Sequence, residues 1–304
     1  MIHLGDITQL KGDQVPVVDI VCGGSPCQDL SVAGARAGLQ GERSGLFMEQ
    51  MRIIKEMREH DRTNRGSDVD IRLLRPRFMV WENVQGAFSS NQGEDFRVVL
   101  EEVCRVADKT ATVPMPKEGT RDVGKLFLEE KSKTLVNGTN AGYHNAVVIR
   151  KKNEEVKTYQ KVTGCLGCEM AKAVNNQMAT NNMFVSDGFI VRRLTPLECE
   201  RLQGYPDGWT DIGEWTDSKG KTHKLSDASR YKALGNSIAL PFWQWMAKRI
   251  VDQYDRETTM ASLFDGIGGF PLVFQRCGCK PIWASEIEEF PMAVTKVRFK
   301  EVEE

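Results

Sequence analysis

MASLFDGIGGFPLVFQRCG at residues 260–278, followed by PIWASEIE at 281–288, carries the clearest fold signal in the chain. MASLF (260–264) reads as a strand, DGIGG (265–269) as a glycine turn, FPLVFQRCG (270–278) as a helix, and PIWASEIE as a second strand ending in acids. Strand, tight turn, helix and strand form a β-α-β unit of a parallel sheet. Glycine at such a turn lets the backbone approach a ligand closely. Glu286 stands twenty positions after Gly266. That is the spacing of a nucleotide-type site, in which an acid at the end of the second strand accepts hydrogen bonds from ribose hydroxyls. Glycine also serves plain helix–sheet packing, so both readings stay open on this stretch alone.

Working outward, the first third repeats the alternation. Residues 15–21 (VPVVDIV) form a β-branched run that stops at Gly23-Gly24 and reads as a buried strand. A Gly-rich, Arg-bearing loop covers 31–45. Phe47, Met51, Ile54 and Met57 mark a helix over 46–59. A polar stretch (60–72) precedes a second strand in RFMVWENV, and 94–107 reads as helix. The middle, 109–187, is rich in Lys, Asn, Thr and Gly and weakly periodic. Between 117 and 172 it holds 11 Lys/Arg against 7 Asp/Glu, as expected of a substrate-contacting module or of a loosely packed insertion. Thr195-Pro196 with Glu198 resembles a helix start for 190–203. Residues 234–251 read as a buried helix with a Pro kink.

Composition sets the outer limits. At 304 residues, 40% hydrophobic and 27% charged, the chain is an ordinary globular protein with room for one large domain or two modest ones. A formal net charge of -1 gives no bulk support for a polyanion partner, though it leaves room for a local basic face. The opening MIHLGDITQL has neither a basic nor an apolar region, so no signal peptide is expected. No apolar run reaches the length of a membrane span, so no membrane partner is expected either. The eight Cys are then expected as reduced thiols in a cytoplasm. Cys165 and Cys168 have the spacing of half a zinc site, but no second pair lies nearby and His144 and His223 are isolated, so no metal is expected. Cys277 and Cys279 sit at a turn and need no special role.

Two strand-end loops carry reactive groups. Cys27 lies in GGSPCQDLS, just past a predicted parallel strand, where open α/β sheets place their sites. A thiol there, among Ser25, Gln28 and Asp29, can ionise and act as a nucleophile. The competing reading is a small buried hydrophobe. Glu82 and Asn83 end the other predicted strand in WENV, where a partly desolvated carboxyl can hold or deliver a proton. The alternative is a solvated strand-end acid.

GSPCQDLS, GLFMEQMRII, WENV, VRRLTPLECERLQGYPDGW, LGNSIALPFW and SLFDGIGGF together resemble the motif set of the DNA cytosine-5 methyltransferases. The resemblance covers roughly residues 1–105 and 188–300. The family commonly opens with its glycine turn, whereas here that turn comes last, as in circularly permuted members. The resemblance implies an α/β fold: a Rossmann-like S-adenosylmethionine-dependent methyltransferase sheet with a smaller, irregular target-recognition domain. The implied division is a catalytic domain in two parts, 1–108 and 231–304, around a recognition domain at 109–230. It also implies methyl transfer from S-adenosylmethionine to carbon 5 of cytosine in double-stranded DNA, through a covalent Cys adduct on a flipped-out base. A monomeric, cytoplasmic protein encoded by a bacterium or phage, in a restriction-modification or phage setting, would fit.

Residue roles follow from the same resemblance. Cys27 matches the nucleophile and Glu82 the acid that engages the base. Phe264, Asp265, Gly266, Ile267 and Gly268 match the turn around the amino-acid part of the donor. Glu286 matches the ribose acid, Ile287 the adenine contact, and Asp6 and Ile7 the segment reading the adenine edge. Asn236 and Ser237 match a helix start closing the donor pocket. Pro26, Gln28, Ser31, Arg36, Arg43 and Asn83 match substrate-side positions, the two Arg as phosphate or base contacts. One element departs from the pattern. The family's Gln-x-Arg-x-Arg strand has no counterpart between 84 and 190, where Arg150 is the nearest strand-borne Arg. A catalytically impaired DNA- or cofactor-binding relative is therefore one alternative. An RNA cytosine-5 methyltransferase is another, and an unrelated α/β nucleotide-binding protein a third.

Overall fold

A computed structural model describes residues 1–25, 45–66, 68–83, 93–113, 147–148, 157–158, 184–186 and 191–300, with the backbone alone at the four short strands between 147 and 193. It divides into two compact units. The first comprises 1–130, 244–265 and 270–287; the second comprises 131–243, 266–269 and 288–304.

The first unit is built on one sheet. Its strands are β1 (Ile2–His3), β2 (Ile20–Gly23), β3 (Phe78–Trp81), β10 (Thr258–Leu263) and β11 (Cys279–Ser285). They lie in the order β1-β11-β10-β2-β3, every neighbouring pair parallel. The reason is legible in β2, whose four residues are all buried, as a strand covered on both faces requires. Helix α1 (Leu46–Arg65) runs from Gly45 to Gly66, which ends it at φ +97°. Its apolar stripe of Phe47, Met51, Ile53, Ile54 and Met57 is almost wholly buried. At about 1.5–3 kcal/mol per fully buried large side chain, that stripe is a main source of cohesion. Ile53, Ile54 and Met57 join Val18, Val21, Ala261, Leu263 and Trp283 in one core cluster. Phe47 and Met51 join Val99 of α2 (Glu94–Cys104) in another.

Among its described residues the second unit holds three antiparallel strand pairs: β4 (Val147–Val148) with β5 (Lys157–Thr158), β6 (Phe184–Ser186) with β7 (Val191–Arg193), and β8 (Trp215–Thr216) with β9 (Thr222–His223). Helix α3 (Pro196–Gln203) has the anticipated capping box, Thr195 with Glu198, and Pro in its first turn. Glu200, fully buried, accepts from the backbone N–H of Gly208 (2.7 Å) and of Thr210 (2.9 Å) and pairs with Arg230 at 3.3 Å. This buried carboxylate fixes the loop of the GYPDGWT segment onto α3 and α4 (Asp227–Gly235). Helix α6 (Glu289–Arg298) closes the unit.

Two expectations need correcting. The buried, kinked helix read over 234–251 is α5 (Leu240–Val251), with Pro241 in its first turn rather than its interior and with Phe242 and Trp245 exposed. A proline without an N–H fits the first turn, where that N–H has no intrahelical partner. Consequently Asn236 and Ser237 are not a helix start: Asn236 caps the carboxyl end of α4. Also, α1 continues to Arg65, past the expected end at 59 and into the polar stretch. Buried Arg58 and Asp61 hold that stretch, Arg58 donating to the carbonyls of Leu74 and Pro76 at 2.6 and 2.7 Å.

Candidate active site

In the first unit the chemistry-bearing residues gather at the carboxyl ends of the parallel strands. β2 ends at Gly23 and β3 at Trp81, which are register partners, and the Glu82 N–H donates to the Gly23 carbonyl at 3.0 Å. This places Glu82 beside Gly24. A Cβ on Gly24 would lie 2.9 Å from Glu82 Oε2, so a side chain there would push the carboxyl away. Burial pushes the Glu82 carboxyl above its ordinary value, since the charged form loses hydration. No described residue donates a hydrogen bond to it. Ser25 is buried and accepts from the Trp81 indole at 3.0 Å, tying the two strand ends together. Asn83 follows, half-buried. Pro26, Cys27, Gln28, Ser31, Arg36 and Arg43 lie outside the described residues.

Two strands along, β10 ends at Leu263 and enters the glycine turn. Phe264 adopts φ +54°, a left-handed conformation rare for a bulky side chain, and packs on the core cluster. Asp265 donates its backbone N–H to the Ser285 carbonyl at 3.1 Å, which locks the turn to the end of β11. Its carboxyl is buried and neither oxygen is in a well-formed hydrogen bond. Desolvation raises it to about 8, opposed by Ser262 and helped least by the nearby Glu286 carboxylate. Asp265 is thus a neutral acid at ordinary pH. Ser285 Oγ donates to the Gly5 carbonyl at 2.5 Å, joining β11 to the segment after β1. Glu286 is half-buried, and Ile287 is 66% exposed, a large apolar surface left open at a strand end. Asp6 accepts from the Thr8 N–H at 2.9 Å and caps a short 3-10 turn, whereas the Ile7 side chain is buried in the core cluster.

In the second unit, the four residues 266–269 have two different reasons to be compact. Gly266 is at φ +55° and a Cβ there would meet nothing within 4 Å. Gly268 is at φ +80° and a Cβ there would lie 2.6 Å from the Phe299 ring. Gly269 would likewise meet Tyr205 at 2.6 Å and Ile238 at 2.8 Å. Packing therefore demands the last two glycines, and only Gly266 faces open space. Ile267 is buried, and its carbonyl accepts from the Trp209 indole at 2.8 Å. Ser237 pairs with the Tyr205 hydroxyl, and Asn236 is exposed.

Several contributors escaped the sequence reading. Gln50 is fully buried beneath the end of β2, donating to the Val80 carbonyl at 3.3 Å. Its signal was a polar residue inside the apolar stripe of α1. Arg52 holds the 3-10 turn through the Ile7 and Leu10 carbonyls, at 3.2 and 2.9 Å. Trp209 and Tyr205 stood in a quoted motif without an assigned role.

S-adenosylmethionine carries a ribose, an adenine and a positively charged sulfonium. In the first unit Glu286, the open apolar face of Ile287 and the orphaned Asp265 carboxyl are the kinds of group that fit it. Among the described residues no cluster of His, Cys, Asp and Glu is arranged for a metal ion. No helix among them is long and apolar enough to cross a membrane.

Comparison with known proteins points the same way. The chain is 25% identical over 290 residues to the type II methyltransferase M1.ScrFI of Lactococcus lactis subsp. cremoris, covering 83% of this chain and 67% of that protein. It is 25% identical over 303 residues to the type II methyltransferase M.HpaII of Haemophilus parainfluenzae, covering 82% and 76%. Over 100 residues it is 31% identical to the orphan methyltransferase M.SPRI of Bacillus phage SPR, covering 33% and 19%. The family model described as C-5 cytosine-specific DNA methylase matches residues 1–106 and 113–252, which include both β2 with its glycine loop and the Glu82 strand end. With that match over most of its length, the chain belongs to the C-5 cytosine-specific DNA methylase family.

Proposed function

We propose that the protein transfers a methyl group from S-adenosylmethionine to carbon 5 of cytosine in duplex DNA. The observation that carries this reading is Glu82: a carboxyl with raised proton affinity, held at the end of β3 against Gly24, three residues before Cys27. Carbon 5 of cytosine is a poor nucleophile. Addition of the Cys27 thiolate at carbon 6 moves ring electrons onto carbon 5. Glu82, protonated, hydrogen-bonds N3 of the base and draws the ring toward addition. Removal of the carbon 5 proton by a base then lets the ring expel Cys27 as thiolate. Carbon 6 is shielded within a base stack, so the target base is flipped out. Bound S-adenosylmethionine supplies a methyl group made electrophilic by its sulfonium. Glu286 would bind the ribose, Ile287 would cover the adenine, and the turn at 264–268 would hold the amino-acid portion, with Asp6, Asn236 and Ser237 as further contacts. Arg36 and Arg43 would meet phosphates or bases.

We also infer that the motif order is permuted. In support, the strand and glycine turn assigned to the donor come at 258–269, after the segment that the family model matches.

The test is methyl transfer from labelled S-adenosylmethionine to unmethylated duplex DNA and, separately, to RNA, with the product mapped by bisulfite sequencing. Label on cytosine in DNA is expected, with at least about a thousandfold loss in Cys27→Ala. Full activity in Cys27→Ala removes the nucleophile assignment. Donor binding without transfer to DNA leaves an impaired relative, and transfer to RNA alone leaves the RNA enzyme.

A further inference from the structure

The opposite, amino ends of the same strands carry a second concentration of charge. Asp19 directly precedes β2, Arg77 directly precedes β3, and Arg256 stands two residues before β10. With Arg65, Arg75 and Tyr254 they line a cavity of about 370 Å³. β2 and β3 are four residues each, so roughly 13 Å of strand separates this cavity from Glu82 and the glycine loop.

The charges are unequal and partly fixed. Arg75 grips buried Asp61 through Nη2 at 2.8 Å and Nε at 3.1 Å, and Arg65 reaches the same carboxylate at 3.4 Å. Arg256 grips buried Asp19 at 2.5 and 2.9 Å. Arg77 is different. Among the described residues its guanidinium has no carboxylate and no hydrogen-bond acceptor. Its contacts are ring faces, 5.3 Å from the Phe78 centroid and 5.6 Å from that of Tyr254. Arg256 lies 5.4 Å over the same Tyr254 ring. Four guanidinium groups therefore converge on a cavity whose lining holds one carboxylate, Asp19, with Asp61 buried behind Arg75, and one fork is held by aromatic packing with its donors unspent. Planar guanidinium forks match phosphate oxygens, and crowded cations gain most from a dianion between them. The volume suits a small ligand.

We propose that this cavity binds a free phosphorylated small molecule, up to about the size of a nucleoside diphosphate, with Arg77 as its anchoring cation. The site is separate from the methyl-transfer reading and stands without it. Roughly 13 Å of strand stands between Arg77 and a ligand at the carboxyl ends, so competition with duplex DNA separates a free ligand from the substrate's own phosphates.

The test uses the full chain saturated with S-adenosylhomocysteine, which keeps adenine-bearing probes out of the donor site. Inorganic pyrophosphate, adenosine diphosphate and adenosine are titrated calorimetrically into the protein and into Arg77→Glu and Arg77→Gln. Arg77 is exposed and makes no ion pair, so both variants keep the fold, which a melting curve checks. Pyrophosphate and the diphosphate are expected to bind below about 1 mM, at least tenfold more weakly in Arg77→Glu, with Arg77→Gln between and adenosine silent. No binding of either phosphorylated probe overturns the proposal, as does unchanged affinity in Arg77→Glu. Displacement of pyrophosphate by an equimolar unmodified DNA duplex also overturns it, because the phosphate would then be the substrate's.

Discussion

Two carboxyls, one largely buried and one wholly so, are tuned in the same direction by the same physics. Glu82 loses hydration at the end of β3, so its acid form persists to higher pH than that of an ordinary Glu. If the acid form serves the reaction, kcat falls as pH rises through that raised value. Glu82→Gln is expected to lower transfer about a hundredfold or more and to remove this limb of the pH profile, read with labelled donor at saturating DNA. Asp265 is raised to about 8 by burial with no good hydrogen bond. The folded state then holds a proton that the unfolded chain releases near pH 4. The stability it contributes is complete below the unfolded pKa and is lost as pH rises toward about 8, at about 1.4 kcal/mol per unit. Asp265→Asn, which stays neutral, should therefore gain melting temperature relative to the parent between pH 5 and 8. Parallel curves for the two proteins across that range would refute the neutral-acid assignment. At this scale the sequence named chemical types well, but not the direction in which side chains face. Ile7 and Ile267 were read as donor contacts and their side chains lie in the interior, so only their backbone can meet a ligand. A one-residue rotation along an irregular turn decides this, and no periodicity records it.

The glycine turn after β10 shows how one motif divides its work at the scale of an element. Gly268 is hemmed in by Phe299 and Thr295, whereas Gly266 faces open space. Gly268→Ala combines a left-handed backbone with overpacking and is expected to cost about 2–4 kcal/mol in urea unfolding. Gly266→Ala meets only the backbone cost, about 1–2 kcal/mol, and should register instead as weaker S-adenosylhomocysteine binding. Equal losses of stability at both positions would contradict this division. Of the two readings left open by the sequence, packing holds at Gly268 and Gly269, and ligand approach is the proposal for Gly266. The α1 helix was legible because burial of one stripe imprints the Phe47-Met51-Ile54 spacing, whereas of VPVVDIV (15–21) only Ile20 and Val21 lie in β2, which runs on to Gly23. The extension of α1 to Arg65 was not legible, because buried Arg58 and Asp61 are stabilised by carbonyl and guanidinium partners distant in sequence.

At the scale of the molecule, the strands contributed last in the chain occupy the middle of the sheet. β10 pairs with β2 on one side and β11 on the other, and β1 pairs only with β11. The family match stops at residue 252, before either strand begins. A chain ending there would lose Met260, Ala261, Leu263 and Trp283 from the core and leave β1 without a partner. It is expected to show no cooperative thermal transition by circular dichroism, and a native-like melt would show that 1–252 is self-sufficient. By itself the sequence determined the α/β class, the β-α-β unit around the glycine turn and the chemical identity of the strand-end acids, because these depend on local pattern and residue type. Only the tertiary structure decided that the Asp265 carboxyl is buried with its proton affinity raised, that Gly266 rather than Gly268 or Gly269 faces open space, and that four arginines from three segments converge on one cavity. Burial and proximity between residues far apart in the chain set those outcomes, and both arise only when the sheet closes around its central strand.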